Sequence, residues 1–123
     1  MNAKQAKIAV RLRTFALSFP EAYEDFPWGE LVIKVNKKIF VFLGMADGSG
    51  STVSAGIKLP ESGEGALMMD FVTKMGYNLG KSGWVHASFP ASAKVPVDLI
   101  EDWIEESYRT VAPKRLLSQI SHN

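Results

Sequence analysis

The hydrophobic positions of this chain follow a helical spacing at both ends and a strand-like alternation between them. Residues 2–18 are predicted to be helical, because apolar side chains in and just after them share one stripe: Ile8, Leu12, Phe15, Ala16 and Phe19. Val97–Val111 has the same spacing, and its inner stripe comprises Leu99, Ile100, Trp103, Ser107 and Val111. Pro20 ends the first pattern, whereas Pro96 suits the first turn of the second.

Segments rich in Val, Ile and Phe are predicted strands, and they cover residues 31–35, 38–44, 52–59 and 84–89. Asn36 and Lys37 separate the first two as a tight turn, since Asn tolerates the left-handed conformation that such turns require. A Gly/Ser loop covers residues 45–51. Two further helical pieces are predicted at residues 62–75, from the spacing of Leu67, Phe71 and Met75, and at residues 114–120.

This order of elements predicts an α+β fold, in which an antiparallel sheet carries its helices on one face. We expect one domain over residues 1–123, with the first and last helices on the same face of the sheet. The core between the sheet and the helices is then predicted to contain Phe15, Ile57, Phe71, Val85, Phe89 and Trp103.

Strand alternation also predicts which side chains lie on the face without helices. If Ile57 and Val85 point to the helices, then Lys58, Trp84 and His86 point the other way. The same parity turns Lys34 outward in the first hairpin strand. In the second hairpin strand the orientation stays open, because its apolar side chains occupy both parities: Ile39, Phe40, Val41, Phe42 and Leu43.

A sheet face with cations and aromatic rings is chemically suited to phosphates and stacked bases. A structural role is favoured for Trp84, which contributes much apolar area when it packs beneath another segment. Lys34 and Lys58 also fit solvated strand positions, and His86 has no acid at a spacing that would orient it for catalysis. Lys81 stands in a glycine-flanked loop whose N–H groups can form an anion-binding nest.

The composition removes several kinds of chemistry. The chain has no cysteine and only two histidines, which excludes thiolate sites and a histidine-rich metal centre. Neither a phosphate-binding loop motif nor a dinucleotide fingerprint occurs around Gly48 and Gly50. We therefore expect no catalytic residues, no cofactor and no metal. With no long apolar stretch and a cationic start, the sequence also predicts a cytoplasmic protein that does not contact membranes.

Charge is distributed in blocks although the net charge is only +1. Residues 1–18 and 31–44 hold cations without acids, whereas residues 19–30 hold acids without cations. Residues 98–112 are also mostly acidic, and Arg109 is their one cation. Patterned charge steers partners even when the total is near zero. The candidate nucleic-acid-binding residues are therefore the exposed cations of the two basic blocks: Lys4, Lys7, Arg11, Lys34, Lys37 and Lys38.

Three segments resemble the MmcQ/YjbR family of small bacterial proteins: residues 26–29 (FPWG), 76–84 (GYNLGKSGW) and 107–111 (SYRTV). The resemblance extends from about residue 19 to about residue 116. It implies a frataxin-like two-layer fold and, by analogy with winged DNA-binding folds, a DNA-binding hairpin tip. The basic first helix does not fit a frataxin-like role in iron binding.

Two hypotheses of function follow. The first is weak, largely non-specific DNA binding through the basic hairpin, helped by the first helix. The second is a non-catalytic module that binds a small ligand or a protein with the outer sheet face and residues 76–84. Its candidate ligand surface comprises Lys58, Lys81, Trp84 and His86.

Overall fold

Six strands form one antiparallel sheet in the part of the chain that the computed structural model describes, residues 3–27, 29–43, 53–90 and 93–120. The spatial order is β1-β2-β3-β4-β6-β5, so β1 and β5 are the edges. Trp28 and the predicted loop at residues 45–51 lie outside the described residues. The strands are β1 Tyr23–Asp25, β2 Val32–Val35, β3 Lys38–Phe42, β4 Val53–Lys58, β5 Val72–Lys74 and β6 Trp84–Phe89.

The two long helices are α1 (Ala3–Leu17) and α4 (Val97–Val111), and both pack on the same face of the sheet. Leu12 of α1 and Trp103 of α4 share one buried cluster with Ile57 and Val85. The predicted α+β fold is thus confirmed, and the predicted core residues belong to this cluster or pack against it. Three short helices complete the described part: α2 Gly63–Ala66, α3 Tyr77–Lys81 and α5 Lys114–Leu117.

A bulge in β3 settles the orientation that the sequence left open. Ile33 pairs with Val41 and Lys34 pairs with Ile39, so Phe40 is the extra residue between them. As a result, Phe40 and Val41 both contribute to the core beneath the helices. Phe42 instead belongs to a second, smaller cluster on the outer face, and Ile39 packs against it.

The turn between β2 and β3 has the predicted left-handed backbone. Asn36 and Lys37 have φ values of 52° and 66°. Positive φ at both central residues is characteristic of the type I′ turn, whose twist matches that of the flanking strands. The hairpin is therefore held in a defined direction at the end of the sheet.

Residues 62–75 do not form the predicted helix. Only Gly63–Ala66 is helical, and Val72–Lys74 forms β5 along the edge of β6. Gly63 and Gly65 disfavour a long helix, and pairing with β6 satisfies the backbone groups that a helix would have used. Met75 consequently joins the outer cluster rather than a helical stripe.

Two further elements differ from the prediction. Tyr23–Asp25 forms the edge strand β1, which has two acidic residues and carries no alternating apolar signal. The loop at residues 76–83 contains the short helix α3. A Cβ on Gly80 would lie 2.3 Å from the carbonyl oxygen of Met75, so the close backbone approach requires glycine there. Gly83 has a φ of 91°, the positive value expected for this turn.

No helix in the described ranges combines the length and the apolar character needed to cross a bilayer.

Candidate nucleic-acid interface

The predicted outer-face set of Lys58, Trp84 and His86 lies on one face of the sheet. Lys58 pairs with Trp84, and His86 pairs with Gly56 two residues along the same strands. Ile57 and Val85, their neighbours in sequence, are buried on the helical side. The parity prediction is confirmed, and the outer face is the side opposite α1 and α4.

Trp84 is nevertheless unavailable for stacking against a ligand. Its side chain is only 7% exposed and meets the ring of Phe42 edge-on, with centroids 5.3 Å apart. Val32 and Met75 complete this outer cluster. The structural interpretation of Trp84 therefore applies, because the indole stabilises the outer face instead of presenting a free ring.

The C-terminal segment packs on the helical side. Leu116 of α5 is fully buried within the main core, and Arg115 forms a bidentate ion pair with Glu21, with N–O distances of 2.8 and 3.0 Å. This hydrogen bonding lowers the pKa of Glu21 and raises that of Arg115. Residues 114–120 therefore pack against the main core, on the helical side of the sheet.

Arg11 and Lys34, two of the candidate cations, are bound to carboxylates that lie far away in the sequence or on a neighbouring strand. Arg11 contacts Asp98 at 2.9 Å and Glu101 at 3.0 Å, and both acids lie on α4. Lys34 contacts Asp25 of β1 at 2.7 Å. The Lys34 ammonium lowers the pKa of Asp25, and the same hydrogen bond raises the pKa of Lys34. The two sequence blocks without acids are therefore partly neutralised in space.

The remaining candidate cations form two separate groups. Gln5, between Lys4 and Lys7, donates a hydrogen bond to the carbonyl of Pro90 just beyond β6. Phe89, the neighbour of Pro90, pairs with Val53 at the start of β4, so Lys4 and Lys7 lie near that end of the sheet. The hairpin tip lies beyond the last residue of β4, at the opposite end. At about 3.3 Å per strand residue, roughly 20 Å separates the two groups along the sheet. Lys4 and Lys7 do not form one surface with Lys37 and Lys38.

Lys37 and Lys38 at the hairpin tip are exposed. Neither forms an ion pair with an acid in the described part of the chain. Lys37 lies in the type I′ turn beyond the paired residues, and Lys38 is the first residue of β3, paired with Val35 of β2. Their ammonium groups are thus accessible to an anionic partner.

Sequence reasoning missed an aromatic ring beside Lys34, in the strand that leads to this turn. Tyr23 pairs directly with Lys34, so both side chains point to the outer face, and Tyr23 is 42% exposed. Phe26, just after β1, is 55% exposed. The sequence does show two aromatic residues, Tyr23 and Phe26, on either side of two acids. Only the pairing of β1 with β2 shows that the Tyr23 side chain lies on the outer face of the sheet.

Lys81 lies apart from the hairpin, at the end of α3. It borders a cleft of about 200 Å³ with Lys74, Leu67 and Gly83. The local backbone explains why two residues of this loop are glycines: Gly80 approaches the Met75 carbonyl closely, and Gly83 has a positive φ. This surface combines cations with an apolar wall. Separately, no cluster of three His, Asp or Glu side chains in the described ranges could hold a metal ion.

Comparisons with known proteins agree with this architecture. The chain resembles the crystal structure of the Deinococcus radiodurans protein DR2400, which contains a DUF419 domain, with a TM-score of 0.66 and 23% sequence identity. The match covers 88% of this chain and 83% of DR2400 and concerns the fold. No curated protein matches the chain. The sequence profile of the YjbR family, for which no enzymatic activity is known, matches residues 17–110. Because that match spans most of the sequence, the chain belongs to the YjbR family.

Proposed function

We propose that this protein binds nucleic acid, weakly and largely without sequence preference, through the tip of the β2–β3 hairpin. The observation that carries this proposal is the pair of exposed lysines, Lys37 and Lys38, on a turn of fixed backbone conformation. Lysine ammonium groups attract phosphates as point charges, so they supply affinity without sequence information. Binding of this kind has a dissociation constant of roughly 10⁻⁴–10⁻⁶ M at physiological salt.

The surroundings of the hairpin favour this surface over the first helix. Arg11 forms ion pairs with Asp98 and Glu101. Lys37 and Lys38 form no ion pair with an acid in the part of the chain that the structure describes. Lys34 adds a third cation at the base of the hairpin, although it must exchange Asp25 for a phosphate. Lys4 and Lys7, at the opposite end of the sheet, do not share the hairpin contacts and attract the ligand from a distance only at low ionic strength, where screening is weak.

A charge-reversal pair with a matched control tests this assignment. Lys37→Glu/Lys38→Glu and Lys4→Glu/Lys7→Glu change the net charge equally but at opposite ends of the sheet. Fluorescence anisotropy with a labelled DNA oligonucleotide at low ionic strength should show loss of binding for the hairpin variant. The helix variant should lose severalfold less. Affinity of the wild type should fall steeply with added salt.

Two results would contradict the proposal. Wild-type protein that binds neither single-stranded nor duplex DNA at low salt has no nucleic-acid function of this kind. Equal losses in the two charge-reversal variants would show that the hairpin has no special role. Both substitutions are at exposed positions, where stability changes by less than about 0.5 kcal/mol, so thermal unfolding should be unaffected.

A second candidate function is a non-catalytic ligand or protein-interaction module, favoured by the cleft beside residues 76–84. Leu67 lines this cleft and is 39% exposed, and the neighbouring Met68 is 86% exposed. Exposed apolar side chains beside a cleft are typical of interaction surfaces. Chemical-shift changes that follow Gly83 and Leu67, rather than Lys37 and Lys38, on addition of a fragment library would favour this module.

A further inference from the structure

Tyr23 gives the hairpin surface an exposed ring next to its cations. It pairs with Lys34, which lies three residues before Lys37 along the hairpin. At about 3.3 Å per residue, Tyr23 therefore lies within roughly 10 Å of the turn, measured along β2. Its 42% exposure contrasts with the 7% of Trp84 on the same face of the sheet.

From this juxtaposition we infer that the ligand is single-stranded nucleic acid, with one base stacked on Tyr23 and a flanking phosphate held by Lys37 at the turn. The inference rests on the proposed function and specifies its ligand. Cations that follow a backbone beside an aromatic side chain are the chemistry with which proteins bind single strands. A base in a single strand has a free face for the ring, whereas bases in a duplex are already stacked on each other.

The position of Tyr23 explains why it, and not another aromatic residue, takes this role. Trp84 and Phe42 pack against each other in the outer cluster. Phe26 is exposed, but β1 is antiparallel to β2, so Phe26 lies farther from the hairpin turn than Tyr23. Of these rings, Tyr23 alone combines exposure with a cross-strand lysine.

Ring truncation at two exposed sites tests the inference. Tyr23→Ala should weaken binding of an oligodeoxythymidine by roughly fivefold or more, since stacking on one aromatic side chain contributes that much. Tyr23→Phe should retain wild-type affinity within about twofold, because the ring is kept. Phe26→Ala is the matched control, which removes an even more exposed ring farther from the turn and should have little effect. Thermal unfolding of each variant identifies any loss of fold.

Duplex DNA of the same length provides the second arm. Wild-type protein should bind the single strand more tightly, and Tyr23→Ala should remove most of that preference. Upfield shifts of the Tyr23 ring protons on adding the single strand would report the stacked base directly.

The failures of the two proposals are distinguishable. If both DNA forms bind equally, Tyr23→Ala binds as wild type, and Lys37→Glu/Lys38→Glu abolishes binding, the hairpin function stands and the stacking inference is overturned. Equal losses in Tyr23→Ala and Phe26→Ala also overturn it. If neither DNA form binds the wild type, the proposed function itself fails.

Discussion

The hydroxyl of Ser107 on α4 donates a hydrogen bond to the carbonyl of Phe40 on β3, with the two oxygens 2.5 Å apart. The same Oγ accepts a hydrogen bond from the backbone N–H of Lys58 on β4, at 3.0 Å. Ser107 is fully buried, so one side chain satisfies two backbone groups where the β3 bulge interrupts pairing with β4. Helix α4 thereby fixes the base of the hairpin that we propose binds nucleic acid.

Removing this hydroxyl should destabilise the protein. Ser107→Ala leaves the Phe40 carbonyl and the Lys58 N–H without their buried partner, which costs about 1–3 kcal/mol for an unsatisfied group. Chemical denaturation should therefore show a lower free energy of unfolding. Ser118→Ala, at an exposed position of the C-terminal segment, is the control and should change it by less than about 0.5 kcal/mol. Equal effects would show that Ser107 does not bridge the strands.

Adding one methyl group at Gly80 should also be destabilising. The new Cβ would lie 2.3 Å from the Met75 carbonyl oxygen, so the backbone must shift, at a cost of about 1–3 kcal/mol. Gly76→Ala provides a control in the same loop, because Gly76 has an ordinary φ of −73° and no described atom lies within 4 Å of its Cβ position. Thermal unfolding of the two variants separates a close contact from a general loss of loop flexibility.

Asp25→Asn should strengthen nucleic-acid binding. The substitution removes the carboxylate that holds Lys34 at 2.7 Å, so a phosphate can take its place. The slope of log affinity against log salt should become steeper by up to about one counterion. Glu24→Gln is the control, because it changes the charge equally one residue away. Glu24 contacts Arg13 on the helical side, so this variant should change the affinity less. An unchanged affinity for Asp25→Asn would exclude Lys34 from the interface.

The ion pair between Glu21 and Arg115 should be visible in an acid titration. Its hydrogen bonds lower the pKa of Glu21, so this carboxyl stabilises the folded state at pH values above its ordinary pKa in the unfolded chain. That contribution is lost as the pH falls through the lower, folded value. In Arg115→Gln, NMR titration should place the pKa of Glu21 closer to its ordinary range. Arg109→Gln, which removes the partner of Glu105 instead, should leave Glu21 unchanged.

Several features of the fold could be predicted because their cause is local. The 3.6-residue spacing predicted Val97–Val111 with the bounds that the structure has, and alternation predicted Trp84–Phe89 together with the faces of its side chains. The Asn36-Lys37 turn follows from the conformations that its residues tolerate. Each of these depends on neighbours along the chain, which the sequence displays directly.

The edge strands and the interface depended on contacts between distant residues. β1 and β5 form because β2 and β6 offer unpaired backbone groups, and such pairing overrides weak local preferences. Tertiary contacts also decided which aromatic ring is available: Trp84 is covered by Phe42, as the structural interpretation favoured, whereas Tyr23 on the edge strand, for which the sequence predicted no role, remains exposed.

The charged residues also show the difference between what the sequence determines and what the tertiary structure decides. The sequence by itself determined where the cations stand along the chain, and it grouped Arg11 and Lys34 with the free lysines. Only the tertiary structure brought Asp98 and Glu101 to Arg11, and Asp25 to Lys34. Electrostatic interaction depends on distance in space, so an acid-free block in the sequence can lie beside a carboxylate once helices and strands pack together.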